Sequence, residues 1–127
     1  MAKSFLIVAG ISGLFAVAIG AFGAHGLKDK IDSSLLAAYH TGVQYHFYHT
    51  LALALVAVLL IRFPGSSLLI ASGWAFFIGI VLFSGSLYGL ALGAPRWFGP
   101  ITPLGGLSFM IGWILWVVGA WRLNELV

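Results

Sequence analysis

The side chains that could do chemistry in this sequence are histidines and tyrosines, and most of them fall within one short stretch. Segment 39–50, YHTGVQYHFYHT, holds three of the four histidines and three of the four tyrosines. Histidine can ligate a metal through either ring nitrogen, and with tyrosine it can pass protons or hydrogen-bond a ligand. The chain has no cysteine, which excludes a thiolate nucleophile, a disulfide and a cysteine-ligated metal.

Helical spacing sorts these side chains by the direction in which they point. His46 and His49 are three residues apart, so on a helix they lie about 60° from each other and share a face with Gly42. Tyr45 flanks His49 on that face. His40 points about 180° away from His49, so we expect it to meet water or lipid headgroups.

The remaining histidine, His25, lies near the end of the preceding apolar segment. A short connection makes the two segments antiparallel neighbours, which predicts that His25 lies at a depth close to that of His46. Polar groups inside a membrane are candidates for function because their burial is costly. We therefore predict one cluster of candidate ligand residues at one end of the protein: His25, Gln44, Tyr45, His46 and His49.

This cluster is compatible with several kinds of chemistry. Three histidines can hold a transition metal, and two histidines on different helices can ligate a b-type haem. The group can also relay protons or hydrogen-bond a quinone or a lipid. Alternatively, these side chains only hydrogen-bond across helices, together with Ser84 and Ser86, and fix the register of the helices.

Catalytic machinery is not recognisable in the sequence. The only acids are Asp29, Asp32 and Glu125, and all three lie in predicted loop or tail segments. A Ser–His–Asp set is therefore excluded, and no glycine loop with lysine suggests phosphate binding. We expect no catalytic residues, no bound metal and no other cofactor, with haem or a transition metal as the alternative.

The elements that position these residues are apolar helices. Of the 127 residues, 61% are hydrophobic and 7% are charged, whereas soluble domains have about 25% charged residues. A membrane span needs about 20 apolar residues. The sequence predicts an all-α, polytopic integral membrane protein, a compact four-helix bundle forming a single membrane domain over 1–127. The predicted spans are 4–27, 39–61, 68–92 and 103–122.

Glycine indicates how such helices associate, because small residues allow close packing where lipid removes the hydrophobic driving force. There are 17 glycines, and many recur at helical spacing. The predicted helix-packing glycines are Gly13, Gly20, Gly85, Gly89, Gly93, Gly105, Gly112 and Gly119. They can serve contacts within the chain or between copies, so membrane lipids, a second copy and a larger membrane complex are the expected partners, and nucleic acid is not.

Basic residues do not orient the protein in the membrane. Lys3, Arg62 and Arg122 fall on one side, and Lys28, Lys30 and Arg96 fall on the other. The positive-inside rule therefore gives no preference. The acids near Lys28 and Lys30 favour both termini inside, and insertion in both orientations is the alternative.

Four motifs in order along the chain resemble a known bacterial family. They are GAFGAHGL at 20–27, TGVQYHFYHTLA at 41–52, FSGSLY at 83–88 and GPITPLGG at 99–106. Together they look like the YgdD/YwdK-type family of unknown function (domain of unknown function 423), which is related to animal transmembrane protein 256. The resemblance implies a multi-pass protein of the bacterial inner membrane with no established activity. It also singles out His25, His46 and His49 as motif members.

Two functional hypotheses follow from the residues and the resemblance. The first is a non-enzymatic membrane component, such as an accessory subunit. The second is a redox or ligand-binding protein that uses the histidine cluster for haem, metal, quinone or lipid.

Overall fold

The computed structural model describes residues 1–126, which form helices joined by short connections. The helices are α1 (Ala2–His25), α2 (Ser33–Arg62), α3 (Ser67–Gly79), α4 (Gly85–Ala91) and α5 (Ile101–Trp121). A π-helical segment, Ile80–Ser84, joins α3 to α4, and 3-10 turns lie at Arg96–Phe98 and Leu123–Leu126. Four stretches, α1, α2, Ser67–Ala91 and Arg96–Trp121, are long and apolar enough to cross a membrane. This confirms the predicted all-α fold with four spans.

Helix α2 is longer than the predicted span 39–61, because it begins before residue 39. The helix starts at Ser33, directly after Asp32, and it runs for 30 residues. Asp32 does not cap the backbone through its side chain; instead its carboxylate accepts a hydrogen bond of 2.6 Å from the Ser34 hydroxyl. This hydrogen bond is the main reason that the pKa of the exposed Asp32 lies below its usual value.

The two central spans are α2 and Ser67–Ala91, called here the third span. In each of them 44% of the most apolar window is buried, compared with 17% for α1 and for the last span. Helix α1 packs along α2, and α5 packs along α3 and the π segment. The core that joins the spans includes Phe5, Leu53, Val56, Leu69 and Phe76. The aliphatic part of α2 after Thr50 therefore builds the core, and the polar segment 39–50 is left for the site.

Glycines bring α5 against the third span. A Cβ at Gly105 would collide with the backbone of Phe83, and a Cβ at Gly112 would lie 2.6 Å from the Phe76 ring. Gly119 faces Leu69 in the same way, at 3.2 Å. The seven-residue repeat thus forms one contact surface toward the third span.

The other glycines in the predicted set differ among themselves. Gly13 and Gly20 face α2, next to Thr50 and Val43 respectively. Gly89 faces Phe98 of the following loop. Two residues of the set make no helix contact within the chain: Gly85 faces open space, and Gly93 lies beyond α4 with a φ of 97°, where it permits a turn. Contact of these residues with a second copy stays a prediction.

Several glycines outside the predicted set receive aromatic rings. For example, Gly42 of α2 faces Tyr88, Gly73 of α3 faces the Phe5 ring, and Gly79 faces the Phe109 ring. A spacing rule for helix-to-helix contact does not identify these positions, because an aromatic side chain, and not a second helix backbone, lies nearest to each of them.

The π segment changes the register of the third span. It adds residues to a turn, as π-bulges do, and these often occur at functional sites. The buried Ser84, at its end, donates a hydrogen bond of 2.6 Å to the carbonyl oxygen of Gly42. Tyr88 lies one turn farther along and reaches His46 of α2. The π segment therefore helps to position the third span against the site.

Candidate functional site

His46 and His49 are the two buried titratable side chains at the centre of the bundle. Their exposed fractions are 5% and 4%, so both rings face the interior, as the helical spacing predicts. Although they lie only one turn apart on α2, they contact different helices and different kinds of neighbour.

His46 belongs to a chain of polar side chains that joins three spans. Its Nε2 lies 2.9 Å from the Ser12 hydroxyl of α1, and its Nδ1 lies 2.9 Å from the Tyr88 hydroxyl of α4. Ser12 in turn lies 2.7 Å from the Thr50 hydroxyl of α2. We call these four residues the hydroxyl network: Ser12, His46, Thr50 and Tyr88. It links the first span to the third span through the imidazole of α2.

The hydroxyl network can be polarised in two directions. A hydroxyl both donates and accepts, so either ring nitrogen of His46 can carry the proton. If Tyr88 donates to Nδ1, then Nε2–H donates to Ser12; if Ser12 donates to Nε2, then Nδ1–H donates to Tyr88. The geometry thus supports a short proton-transfer chain, because each tautomer of His46 has a hydroxyl partner at both ring nitrogens.

His49 lies in an aromatic cage. Its ring stacks on Phe109 of α5 with centroids 3.6 Å apart and an interplanar angle of 10°. The ring of Tyr45 stacks on it at 6.0 Å, and the rings of Phe76 and Trp113 approach it at 5.6 and 5.8 Å. We call these five residues the aromatic cage: Tyr45, His49, Phe76, Phe109 and Trp113.

The hydrogen bonds of His49 determine its tautomer. Its Nδ1 lies 2.8 Å from the carbonyl oxygen of Tyr45, which can only accept, so Nδ1 carries the hydrogen. The indole N–H of Trp113 donates to Nε2 over 3.1 Å. The ring is therefore neutral, and both nitrogens are used by the protein itself.

The other members of the predicted cluster do not join the two histidines as polar ligands. Tyr45 contributes its ring and its carbonyl oxygen to the aromatic cage, but the Gln44 side chain is exposed. His40 is exposed too, in line with its position on the opposite face.

The prediction that His25 lies near His46 is wrong. Contacts of Gly13 with Thr50 and of Gly20 with Val43 place His25 opposite the first turns of α2. His46 lies about eight residues, or about 12 Å, farther along the helix axis. The His25 side chain is exposed at the end of α1. Among the side chains that the structure describes, no group of three or more His or acidic residues is close enough to share a metal ion.

The site also contains residues that sequence reasoning missed: Ser12, Thr50, Phe76, Tyr88, Phe109 and Trp113. Ser12 carries an ordinary hydroxyl in an apolar segment, so composition does not distinguish it. Trp113 follows Phe109 by one turn, and this aromatic spacing on the helix that carries Gly105 and Gly112 was the signal available. Among the described residues, every buried polar side-chain atom has a hydrogen-bond partner.

Comparisons with known proteins identify similar chains. Residues 19–106 match the family model described as a protein of unknown function, DUF423. The chain is 52% identical to the UPF0382 membrane protein YwdK of Bacillus subtilis over 118 residues, which cover 93% of this chain and 96% of the relative. It is 44% identical to the UPF0382 inner membrane protein YgdD of Escherichia coli over 128 aligned residues, covering 97% and 93%.

A third relative is similar over the full length. The chain is 41% identical to a UPF0382 membrane protein of Haemophilus influenzae over 126 residues, covering 99% of this chain and 100% of the relative. No solved structure matches the chain. These names describe membrane proteins, and they carry no activity.

Proposed function

We propose, on the premise that this chain belongs to the DUF423 family of uncharacterised membrane proteins, that it is a non-enzymatic structural component of the bacterial inner membrane. In this role it acts as an accessory subunit whose buried histidines hold its own helices in register. The name of the Escherichia coli relative, an inner membrane protein, supports the choice of membrane.

One observation carries the proposal: all four ring nitrogens of His46 and His49 have hydrogen-bond partners within the chain. A haem iron or a transition metal needs a ring nitrogen with a free lone pair. At His49 that lone pair faces the indole N–H of Trp113. Binding a metal there would leave that N–H without its partner in an apolar environment, which costs about 1–3 kcal/mol.

The partners of the two histidines also support a role for these hydrogen bonds in fixing the register of the spans. His46 ties α2 to α1 and to the third span, and His49 ties α2 to α5. One helix thereby fixes the register of all four spans. Because burial of α1 and α5 is low, their outer faces stay available for lipid or for neighbouring membrane proteins.

The experiment compares the full chain with two variants, His46→Gln and His40→Gln, each purified in mild detergent. We expect reduced-minus-oxidised spectra without a haem band in all three proteins, and metal contents well below one ion per chain. We also expect His46→Gln to melt at a lower temperature than the original chain, while His40→Gln, altered at an exposed side chain, melts unchanged.

A haem band or a stoichiometric metal in the original chain that disappears in His46→Gln would overturn the proposal. Purification from native membranes followed by mass spectrometry completes the test. A stable partner subunit supports an accessory role, and substrate turnover by the purified chain contradicts it.

A further inference from the structure

One side of α2 is exposed along most of the membrane-spanning part of the helix. Helix α1 and the third span pack on two other sides of α2, and α5 reaches it through Trp113. The exposed side carries five side chains, which we call the α2 stripe: Gln44, Tyr48, Leu51, Leu55 and Val58. Their spacing of four, three, four and three residues keeps them within about 80° of one another around the helix axis. This is the spacing of a seam along which two helices pair.

The two polar side chains of the α2 stripe lie inside the membrane. The contacts of Gly13 and Gly20 with α2 set the register of the first two helices. In this register Tyr48 is close to the middle of α1, and Gln44 is level with Ile19. Helix α1 has 24 residues and is about 36 Å long, so Gln44 lies about 9 Å from its C-terminal end. Because the hydrocarbon layer is about 30 Å thick, both side chains lie below its surface.

These polar side chains lack partners among the residues that the structure describes. Their neighbours on α2 are hydrogen-bonded: Thr41 donates to the carbonyl oxygen of Ala37, and both ring nitrogens of His46 have hydroxyl partners. Neither the Gln44 amide nor the Tyr48 hydroxyl makes a hydrogen bond to another described residue. Lipid tails cannot supply one, and an unpaired polar group in hydrocarbon is costly. The α2 stripe therefore has the chemistry of a surface that contacts protein.

A second copy of the chain is the partner that complements this surface. The Gln44 amide both donates and accepts, so two such amides that face each other across a twofold axis can form two reciprocal hydrogen bonds. A copy in the same orientation brings its Gln44 to the same depth. An inverted copy would instead place Gln44 opposite Leu55 and Tyr48 opposite Leu51, because each pair is equidistant from the middle of α1. The polar groups would then face aliphatic side chains, which favours the parallel arrangement.

The rest of the α2 stripe is compatible with the same arrangement. Leu51, Leu55 and Val58 are exposed aliphatic side chains that can interdigitate with their counterparts on a parallel helix. The line continues to the exposed Arg62, at the end of α2. This charge lies at the membrane surface, where water and salt screen its repulsion from a second copy.

We propose that two copies of the chain, inserted in the same orientation, form a dimer through the α2 stripe, with their Gln44 amides hydrogen-bonded across the twofold axis. The basic residues give no preference for an orientation, whereas this surface pairs only copies that share one. The α2 stripe has no residue in common with the hydroxyl network or the aromatic cage. The dimer thus goes beyond the role proposed for the histidines, and its failure would leave that role unaffected.

Cysteine cross-linking tests the surface directly, because the chain has no cysteine of its own. Val58→Cys places a thiol on the α2 stripe, and Val81→Cys places one on the third span; both valines are 54% exposed. Each full chain is oxidised in its native membrane with copper phenanthroline and analysed without reductant. We expect Val58→Cys to give at least about fivefold more disulfide-linked dimer, because counterparts face each other along a parallel seam.

The same experiment distinguishes the parallel pair from an inverted one. In an inverted pair the two thiols at position 58 would lie about 25 Å apart along the helix axis, too far for a disulfide. Equal cross-linking of the two variants, or no cross-linking of Val58→Cys, would overturn the proposal. A disulfide from Val58→Cys to a different protein, in place of a second copy, would overturn it too.

A second experiment removes the amide. Gln44→Leu deletes both hydrogen-bonding groups of the side chain, whereas the control Tyr45→Phe deletes an exposed hydroxyl one residue away, outside the α2 stripe. Energy transfer between labelled chains in vesicles measures the monomer–dimer equilibrium over a range of protein-to-lipid ratios. We expect Gln44→Leu to dimerise about tenfold more weakly than the original chain, and Tyr45→Phe to dimerise unchanged.

Unfolding in excess detergent shows whether Gln44→Leu acts on the dimer or on the single chain. Dilution separates the copies, so a side chain of the α2 stripe is then exposed and contributes little to unfolding. Gln44→Leu should therefore unfold at the same temperature as the original chain. A lower unfolding temperature would contradict the proposal, because it would place the partner of Gln44 within one copy. Unchanged dimerisation of Gln44→Leu, or a monomeric original chain at every protein-to-lipid ratio, would also contradict it.

Discussion

The surroundings of His46 and His49 differ although the two residues lie one turn apart on α2. His46 is held by two hydroxyls from the first and third spans, next to a depression of about 330 Å³ lined mainly by α1. His49 is held between rings, with its closest neighbour Phe109 stacked at 3.6 Å, and its polar bonds go to a carbonyl oxygen and an indole.

This difference indicates that the two histidines have different roles. In the aromatic cage the partners of His49 are one pure acceptor and one pure donor, so a single neutral tautomer fits. In the hydroxyl network both partners can reverse their roles, so two tautomers of His46 fit. The cage is thus suited to fixing helix positions, and the network joins three spans while allowing either tautomer of His46.

The largest effect is expected at Gly105, because it allows α5, which carries Phe109 and Trp113 of the aromatic cage, to approach the third span. A Cβ there would collide with the Phe83 backbone, whereas a Cβ at the neighbouring Gly106 would lie 3.9 Å from the Phe83 ring. Overpacking against a backbone cannot be relieved by a rotamer change, so we expect Gly105→Ala to lose about 3 kcal/mol of stability. Unfolding in detergent, followed by circular dichroism, measures it.

Gly106→Ala is the matched control and should unfold almost as the original chain does. Equal stability of the two variants would contradict the close contact between α5 and the third span on which the aromatic cage depends.

The next effect is expected from His49 itself. His49→Ala removes a ring stacked on Phe109 and leaves the Trp113 N–H unpaired, so we expect a loss of about 2 kcal/mol. His49→Phe keeps a stacked ring and should recover more than half of that loss if stacking dominates in the cage. The exposed Tyr48 provides the control, Tyr48→Ala, which should stay within about 0.5 kcal/mol. The thermal unfolding of all three variants decides whether the cage is mainly aromatic or mainly polar.

The sequence was sufficient to predict the spans and the inward direction of the two histidines. Hydropathy along the chain predicts the number of membrane spans. The angle between His46 and His49 around the helix axis depends only on their spacing in the sequence. The repeat of Gly105, Gly112 and Gly119 is likewise a property of one helix. These features are local, so they did not require knowledge of how the helices pair.

The features that depend on pairing were harder to predict. The position of His25 depends on the register between α1 and α2, and the connection at 26–32 places it opposite the start of α2. The partners Ser12 and Trp113 come from other spans, so their identity follows only from three-dimensional packing. The π segment shifts the register of the third span, and no pattern in Ile80–Ser84 indicates it.

The smallest effect, and the one that best separates the two histidines, is energetic coupling through the imidazole of His46. Ser12→Ala and Tyr88→Phe each remove one of its partners. Hydrogen bonds between membrane helices contribute about 0.6 kcal/mol on average and up to about 1.7, so each single loss should be of that size. Because one ring must donate to one partner and accept from the other, we expect the double variant to deviate from additivity by at least about 0.5 kcal/mol.

The control cycle pairs Ser12→Ala with Trp113→Phe, which removes the donor to His49 and keeps an aromatic ring in the cage. Since Ser12 and Trp113 contact different histidines, their effects on unfolding should add. Additivity in both cycles would show that the hydrogen bonds of His46 to Ser12 and to Tyr88 are energetically independent of each other. Coupling in both would show that the hydroxyl network and the aromatic cage act as one unit.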